Sequence, residues 1–548
     1  MKKISWLLFA AVIILTVTLS ISARTPRKDN QALNNSDFNS TQKLAYAERL
    51  IESFYVDSVN SDELVEEAII SMLKTLDPHS SYSNADETKE LTTPLQGNFS
   101  GIGIQFNMNN DTLYVIQTTV GGPSERVGIQ PGDRILSAND SVLSGVKRQN
   151  ADVLRILRGP KGTEVIVNVL RKGTPEPIKF RIIRDDIPLY SVDASYMAEK
   201  KTGYIRVSRF AESTGKEVEK AVKELQAQGM ENLIIDLEDN GGGYLNAAYE
   251  MASLFLPKGS LVVYTDGPRV PRTDYRVDRN PVMPDGKLVV LVNQNSASAS
   301  EIFAGAIQDN DRGLVVGRRT FGKGLVQRPF PFPDGSMIRL TVSRYYTPAG
   351  RSIQKPYVNG DAEDYYMDIY NRYKGGEFEN ADSVHFADSL KVYTLVNRRP
   401  VYGGGGIMPD KFVAVDTTGY SKYYRDMMAN GIFNRYVVNY VDQNRDLLKK
   451  KYSNEREFVD KFQVTPAMIE GLVAMGEKEG VAPDPEGLKI SRSPIEAFVK
   501  GLIARDLWDM SGYYMTVNPV VSPVYHEGLS LISNDRSYNE KLNGSPEQ

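Results

Sequence analysis

Two largely apolar runs constrain this chain more than any other feature. They are Leu233-Ile-Ile-Asp-Leu237 and Leu288-Val-Val-Leu-Val292. A strand with one wet face alternates apolar and polar residues, and these runs do not. They are short and rich in β-branched residues, so they read as strands of a sheet covered on both faces. Candidate strands Tyr204–Val207 and Leu314–Gly317 and candidate helices Glu217–Gln226, Ala247–Phe255 and Ser298–Gln308 alternate with them through residues 203–350. Such alternation predicts an α/β layered core.

The chain has 548 residues, enough for three or four domains. Lys2 and Lys3 precede an uncharged, mostly apolar run over residues 4–21, followed by small residues. This predicts a secretory signal or a single uncleaved anchor within residues 1–23, and an exported chain under either reading. Residues 24–40 are a polar linker. Residues 41–90 carry helical periodicity. Residues 91–186 are a small strand-rich domain, with runs at Leu113–Gln117, Arg134–Ala138, Glu164–Leu170 and Ile178–Ile183 and one helix at Asn150–Leu157. The α/β core occupies 187–358, and a connecting segment that completes it occupies 359–415. Residues 416–548 form a helical extension, with Phe433, Val437, Val438 and Val441 on one face and a loose, polar final stretch of about 25 residues. The fold class is thus α/β multidomain with a mixed core sheet.

Composition narrows the chemistry. The chain has no cysteine, which excludes a thiol nucleophile, disulfides and thiolate zinc sites. Its three histidines, His79, His385 and His526, cannot build a zinc-protease helix. No metal ligand set and no cofactor is predicted. A net charge of -4 from 65 basic and 69 acidic residues gives no support for nucleic acid as a ligand.

Three clusters remain. Asp236–Gly243 follows a buried strand and ends in three glycines, suited to an oxyanion or to a tight turn. Asn295–Glu301 places three serines between a strand and a helix, where they can be caps or can expose a nucleophile. Gly317–Gly324 falls one residue short of a phosphate-binding loop: Gly324 stands where a hydroxyl belongs, and Pro329, Pro331 and Pro333 interrupt the helix that should follow. Lys323 within it is flanked by Phe321 and Leu325. A desolvated lysine can be neutral enough to serve a serine as base.

The stretches Leu76–Tyr82 (LDPHSSY), Gly101–Ile104 (GIGI), Gly122–Leu136, Leu157–Thr163, Ile234–Gly243 (IIDLEDNGGG), Ser296–Asp309 (SASASEIFAGAIQD), Phe321–Gln327 (FGKGLVQ) and Arg344–Gln354 occur in this order. Together they resemble the C-terminal processing peptidases, Ser–Lys enzymes that carry a PDZ domain. The resemblance covers about residues 40–355, with a weaker echo at Gly405–Asp410.

The resemblance implies an exported serine endopeptidase, periplasmic or anchored facing the periplasm, that takes unstructured apolar C-terminal tails. It implies Ser298 as nucleophile, Lys323 as base and Gln327 as the residue orienting the lysine. It further implies Ala299 and Gly243 as the oxyanion hole and Asp309 as a residue that supports the site. Gly101, Ile102, Gly103 and Ile104 are expected to form the carboxylate-binding loop, and Arg158 either couples ligand to site, as the resemblance implies, or is a surface turn arginine. His79 is expected to be structural. Glu238 departs from the family, which often has arginine there; it is expected to be solvated, with a local ion pair or an effect on substrate preference as alternatives. Protein or peptide substrates with free tails are the expected partners. An adaptor or activator, membrane association through residues 4–21 and a homo-oligomer remain open. A catalytically silent PDZ scaffold is the alternative.

Overall fold

The computed structural model describes residues 39–544, so the apolar run at 4–21 lies outside it. Among the described residues, no helix is long and apolar enough to cross a membrane. The chain divides into two compact units between Met72 and Leu73. Among the described residues, helix Ser40–Phe54 and most of helix Ser61–Lys74 lie in the first. Asn39 caps the former through a reciprocal box: Gln42 N–H donates to Asn39 Oδ1 at 2.9 Å, and Asn39 N–H to Gln42 Oε1 at 3.0 Å. The predicted apolar face there stays exposed at Leu44, Leu50, Ile51 and Phe54.

In the second unit, a six-stranded sheet runs in the order Val192–Glu199, Thr202–Val207, Asn232–Asp236, Leu288–Val292, Leu314–Gly317, Lys411–Phe412. The first pair is antiparallel and the rest are parallel. Strand alternation explains why apolar residues follow one another in these runs. Leu233, Ile235, Leu288, Val290 and Val292 enter one core with helices Thr214–Ala227, Leu245–Ala252 and Ala299–Asp309. Ile234, Val289, Leu291, Leu314 and Val316 enter a second core on the opposite face.

That second core corrects one expectation. The final stretch is not loose. Pro523–Ser533 and Asp535–Asn543 are helices, and Val524, Tyr525, Leu531, Ile532 and Tyr538 are buried against the sheet. An apolar second face of a parallel sheet requires such a cover.

A second, antiparallel sheet joins Ser81–Ser83, Met337–Tyr346, Leu261–Gly267 and Val270–Arg276, with Leu325–Pro331 also paired to Met337–Tyr346. The PDZ-like region has its own sheet, in the order Ile104–Asn109, Thr112–Thr118, Arg134–Ala138, Glu164–Leu170, Ile178–Ile183. Helix Asn150–Leu157 closes its core with Val153 and Leu157. A separate helical domain, from Lys422–Ala429 to Met510–Val521, is built around residues such as Phe433, Val437, Phe458, Leu472 and Leu502.

Candidate active site

The serine cluster sits where strand Leu288–Val292 turns into helix Ala299–Asp309. Its three serines differ. Ser296 Oγ donates to the Leu237 carbonyl at 2.7 Å, and Ser300 Oγ to the Asn240 carbonyl at 2.8 Å. Both are fully buried, so their hydroxyls are spent in tying the turn to the glycine loop. Ser298 between them is only partly buried. It stands at the helix N-cap with φ 56° and ψ -112°, a conformation unusual for a residue with a side chain. The next N–H, on Ala299, belongs to the first helical turn, whose donors have no intrahelical acceptor.

The glycine loop reaches this turn through Gly242. A Cβ at Gly242 would lie 2.8 Å from Ser298 Cβ and 2.9 Å from Ala299 N, and its φ is +99°. Only a residue without a side chain allows that approach. Gly243, one residue on, sits against Phe210 instead, with which it forms a parallel bridge.

Lys323 precedes strand Leu325–Pro331. A proline-interrupted strand, with no helix, therefore follows the loop at Gly317–Gly324. Burial, the nearby Arg339 charge and the opposing pull of Glu301 and Asp77 leave the Lys323 amine lowered to about 8. Half-neutral at that pH, such an amine can accept a proton near neutrality.

Two residues tie the serine turn to the lysine loop, and neither was assigned a role from sequence. Glu301 is fully buried. Its Oε2 accepts the Ser298 N–H at 2.8 Å and the Lys323 N–H at 2.9 Å. Its Oε1 accepts the Thr320 hydroxyl at 2.6 Å and the Gly322 N–H at 2.7 Å. Burial nonetheless pushes the carboxyl up to about 7. Tyr345, buried on the long strand, donates its hydroxyl to the Lys323 carbonyl, with the Ser298 carbonyl also within reach at 3.1 Å. The signal for Glu301 was the S-x-x-E spacing from Ser298, which marks a capping box and here spans two loops. Nothing local in the sequence marks Tyr345.

The other expected residues fall around this centre. The Gln327 amide donates to Thr341 Oγ1 at 3.1 Å, and that hydroxyl donates to Asp77 Oδ1 at 2.9 Å. Asp309, fully buried, pairs with Arg351 at 2.6 Å and accepts the Ala349 N–H at 2.9 Å, so it holds the turn after the long strand. His79 Nε2 lies 2.9 Å from the Tyr365 hydroxyl. Burial, with the Lys323 charge next in weight, drives its imidazole down to about 3, so it stays neutral.

The PDZ residues lie apart from the centre. Gly101 ends strand Asn98–Gly101, and Ile104 begins the sheet's edge strand. Between them the Ile102 carbonyl accepts both the Ser124 N–H at 3.0 Å and its hydroxyl at 2.7 Å, and Gly103 has φ +74°. Arg158 lies over the Phe99 ring at 4.6 Å, beside Gly101.

Glu238 is not solvated as expected. Its side chain is 14% exposed and its carboxylate lies 3.7 Å from Arg318. Arg318 also donates to Gln294 Oε1 at 3.0 Å, so it links the glycine loop to the segment before the serines. Burial, and then the Asp236 charge, raise the Glu238 carboxyl to about 8.

Comparison with known proteins agrees with this layout. Residues 201–364 match "Peptidase family S41", residues 100–182 "PDZ domain" and residues 8–88 "Activating protease CtpB N-terminal domain". Residues 423–509 match "Family of unknown function (DUF8443)". The chain is 33% identical to a "Carboxy-terminal-processing protease" of Bartonella bacilliformis, over 63% of this chain and 79% of that one. It is 32% identical to "Carboxy-terminal processing protease CtpA" of Bacillus subtilis, over 68% and 80%. It is 33% identical to "Probable CtpA-like serine protease" of Staphylococcus aureus, over 66% and 72%.

Proposed function

The chain belongs to the carboxy-terminal-processing proteases of peptidase family S41, and from that premise we propose that it is an exported serine endopeptidase that captures apolar C-terminal tails and cleaves with a Ser298–Lys323 pair. The observation that carries this reading is the shared acceptor. Glu301 Oε2 holds the main-chain N–H groups of Ser298 and Lys323 together, while Ser296 and Ser300 are already committed.

The reaction follows from these groups. Neutral Lys323 takes the Ser298 proton as Oγ attacks the scissile carbonyl carbon. The oxyanion forms beside the Ala299 N–H and an N–H of the glycine loop at Gly243, and such fixed donors favour it over the ground-state carbonyl. Collapse breaks the peptide C–N bond, and the lysine ammonium returns the proton to the leaving amine. Water then attacks the acyl-enzyme with Lys323 again as base, and Ser298 is regenerated. Gln327 limits the motion of the strand that follows the lysine through Thr341 and Asp77.

The PDZ domain supplies the tail site. Strand Ile104–Asn109 pairs on one side only, so its other edge can take a peptide as an added strand. The loop of Gly101, Ile102 and Gly103 at its start offers N–H groups to the terminal carboxylate, and Arg158 stands beside it. Export is supported by the apolar run at residues 4–21.

The test is cleavage of an unfolded protein with an apolar tail, with EDTA present, by wild type, Ser298→Ala and Lys323→Ala. Cleavage by wild type alone is expected, and amidation of the tail should slow it. Equal cleavage by all three would sink the assignment.

A further inference from the structure

No step of the proposed reaction uses the helical domain at residues 421–521, much of which matches a family of unknown function. Its contacts with the PDZ domain give it a role. Strand Thr112–Thr118 sends Leu113 and Val115 into the PDZ core. Tyr114 and Ile116 point the other way and share a small cavity with Val438 and Val441 of helix Ile432–Lys451. Polar contacts surround this patch. Arg134, stacked on Tyr114, pairs with Asp442 at 2.8 Å. Asn109 Nδ2 donates to Asn439 Oδ1 at 2.8 Å. Gln117 Nε2 donates to the carbonyls of Arg505 and Trp508, each at 2.6 Å.

The chemistry of this interface differs from that of a core. Asn109 Oδ1, Arg445 Nε and Asp506 Oδ2 are buried at or beside it without a partner among the described residues. Each such group carries an uncompensated desolvation cost. A contact built on ion pairs, amides and unsatisfied groups resembles a releasable domain interface. It also leaves the outer edge of Ile104–Asn109 without a paired strand, so docking and tail capture can coexist.

The same domain touches the protease core on its other side. Gln117 grips the corner between helices Arg492–Leu507 and Met510–Val521. The second of these packs on strand Val192–Glu199, where the Ser195 N–H donates to Ser511 Oγ at 3.3 Å. Its Tyr514 ring lies 4.9 Å from the Arg206 guanidinium. Arg206 in turn pairs with Asp236 at 2.7 Å and donates to the Glu238 carbonyl at 2.9 Å, at the root of the glycine loop.

We propose that residues 421–521 are an internal dock for the PDZ domain, and that the docked position is passed through Tyr514 and Arg206 to the glycine loop beside Ser298. This rests on reading the PDZ domain as the module that captures tails. The dock takes the outer face of the PDZ sheet as its partner, through a carboxylate at Asp442 and the Arg505 and Trp508 carbonyls of a helix corner. Tail capture at the opposite edge and docking at this face then bear on one small domain whose position sets the loop.

The experiment uses the full chain with Arg134→Asp, Asp442→Arg and the double swap, together with Gln117→Glu, which removes both amide donors without touching the ion pair. Hydrogen exchange is followed in Thr112–Thr118 and Ile432–Lys451, and turnover is measured on a protein with a free apolar tail. Each single variant is expected to speed exchange at the interface about tenfold and to change turnover at least about fivefold, as for the loss of a close charged partner. The swap should bring both back to within about threefold of wild type. Unchanged exchange in the single variants, a swap that recovers nothing, or loosened docking with unaltered turnover would each overturn the proposal. Loss of the Ser–Lys reading would show separately, as turnover that survives Ser298→Ala, and would leave the exchange result intact.

Discussion

Ser298 and Lys323 share one hydrogen-bond acceptor: both main-chain N–H groups end on Glu301 Oε2. The residues come from different loops of the core, and a single buried carboxylate fixes their backbones relative to each other. The Tyr345 hydroxyl does the same from the carbonyl side. Four donors converge on Glu301, so its loss would free both loops at once.

Glu301→Gln should therefore lower turnover by about one to two orders of magnitude, since two N–H groups would face an amide instead of an acceptor. The variant also has a signature in stability. The folded carboxyl is raised from its ordinary 4.5 to about 7. The stability this group contributes is full below about pH 4.5 and is lost as pH climbs through about 7, by an amount on the order of 3 kcal/mol. Urea unfolding at pH 5 and pH 8 should show a smaller difference in the variant than in wild type. Identical pH dependence in the two would contradict the assigned environment.

Lys323 must be neutral to act as a base. With its amine lowered to about 8, kcat/KM should rise with pH from 6 and level off above about 8.5. Lys323→Ala should lose about a thousandfold or more across that range. A flat profile between pH 6 and 9, with substrate concentration well below KM, would remove lysine as the base.

The Glu238–Arg318 pair gives a stability test. Glu238→Arg places a third cation near Arg206 and Arg318, inside a largely buried site. It should destabilise by about 2–4 kcal/mol, and adding Arg318→Glu should return much of that. Thermal unfolding of the single and double variants decides it. Equal losses in both would mean that the two charges do not interact.

Asp309 and Arg351 are both at 1% side-chain exposure or less. Asp309→Ala should cost about 3–5 kcal/mol, because it leaves an unpaired buried guanidinium. If the residue only supports the site, the folded fraction of the variant should keep a kcat within a few fold of wild type. A thousandfold fall in kcat with unchanged stability would instead give it a chemical role.

The sheet was legible because its physics is local. Leu233–Leu237 and Leu288–Val292 state in their own residues that both faces are covered. The identity of the second cover was not legible, because Pro523–Ser533 and Asp535–Asn543 mix polar positions with a narrow apolar stripe. Only the sheet they meet reveals its purpose. At the site, the serine and lysine were carried by motif. Glu301 looked like one more acid of a first helical turn, and its second partner lies 22 residues away. Glu238 was misread because its countercharge at Arg318 sits in a loop that sequence alone places nowhere.

The backbone at Ser298 also decides which alcohol can stand there. Threonine has the same hydroxyl and comparable intrinsic nucleophilicity. Its extra methyl group, however, meets a φ of 56° that β-branched side chains avoid, on a turn already pressed against Gly242. Of the two hydroxyl residues, only the unbranched one fits this turn without added strain. The fold thus restricts the genetic alphabet at position 298 before any substrate is bound.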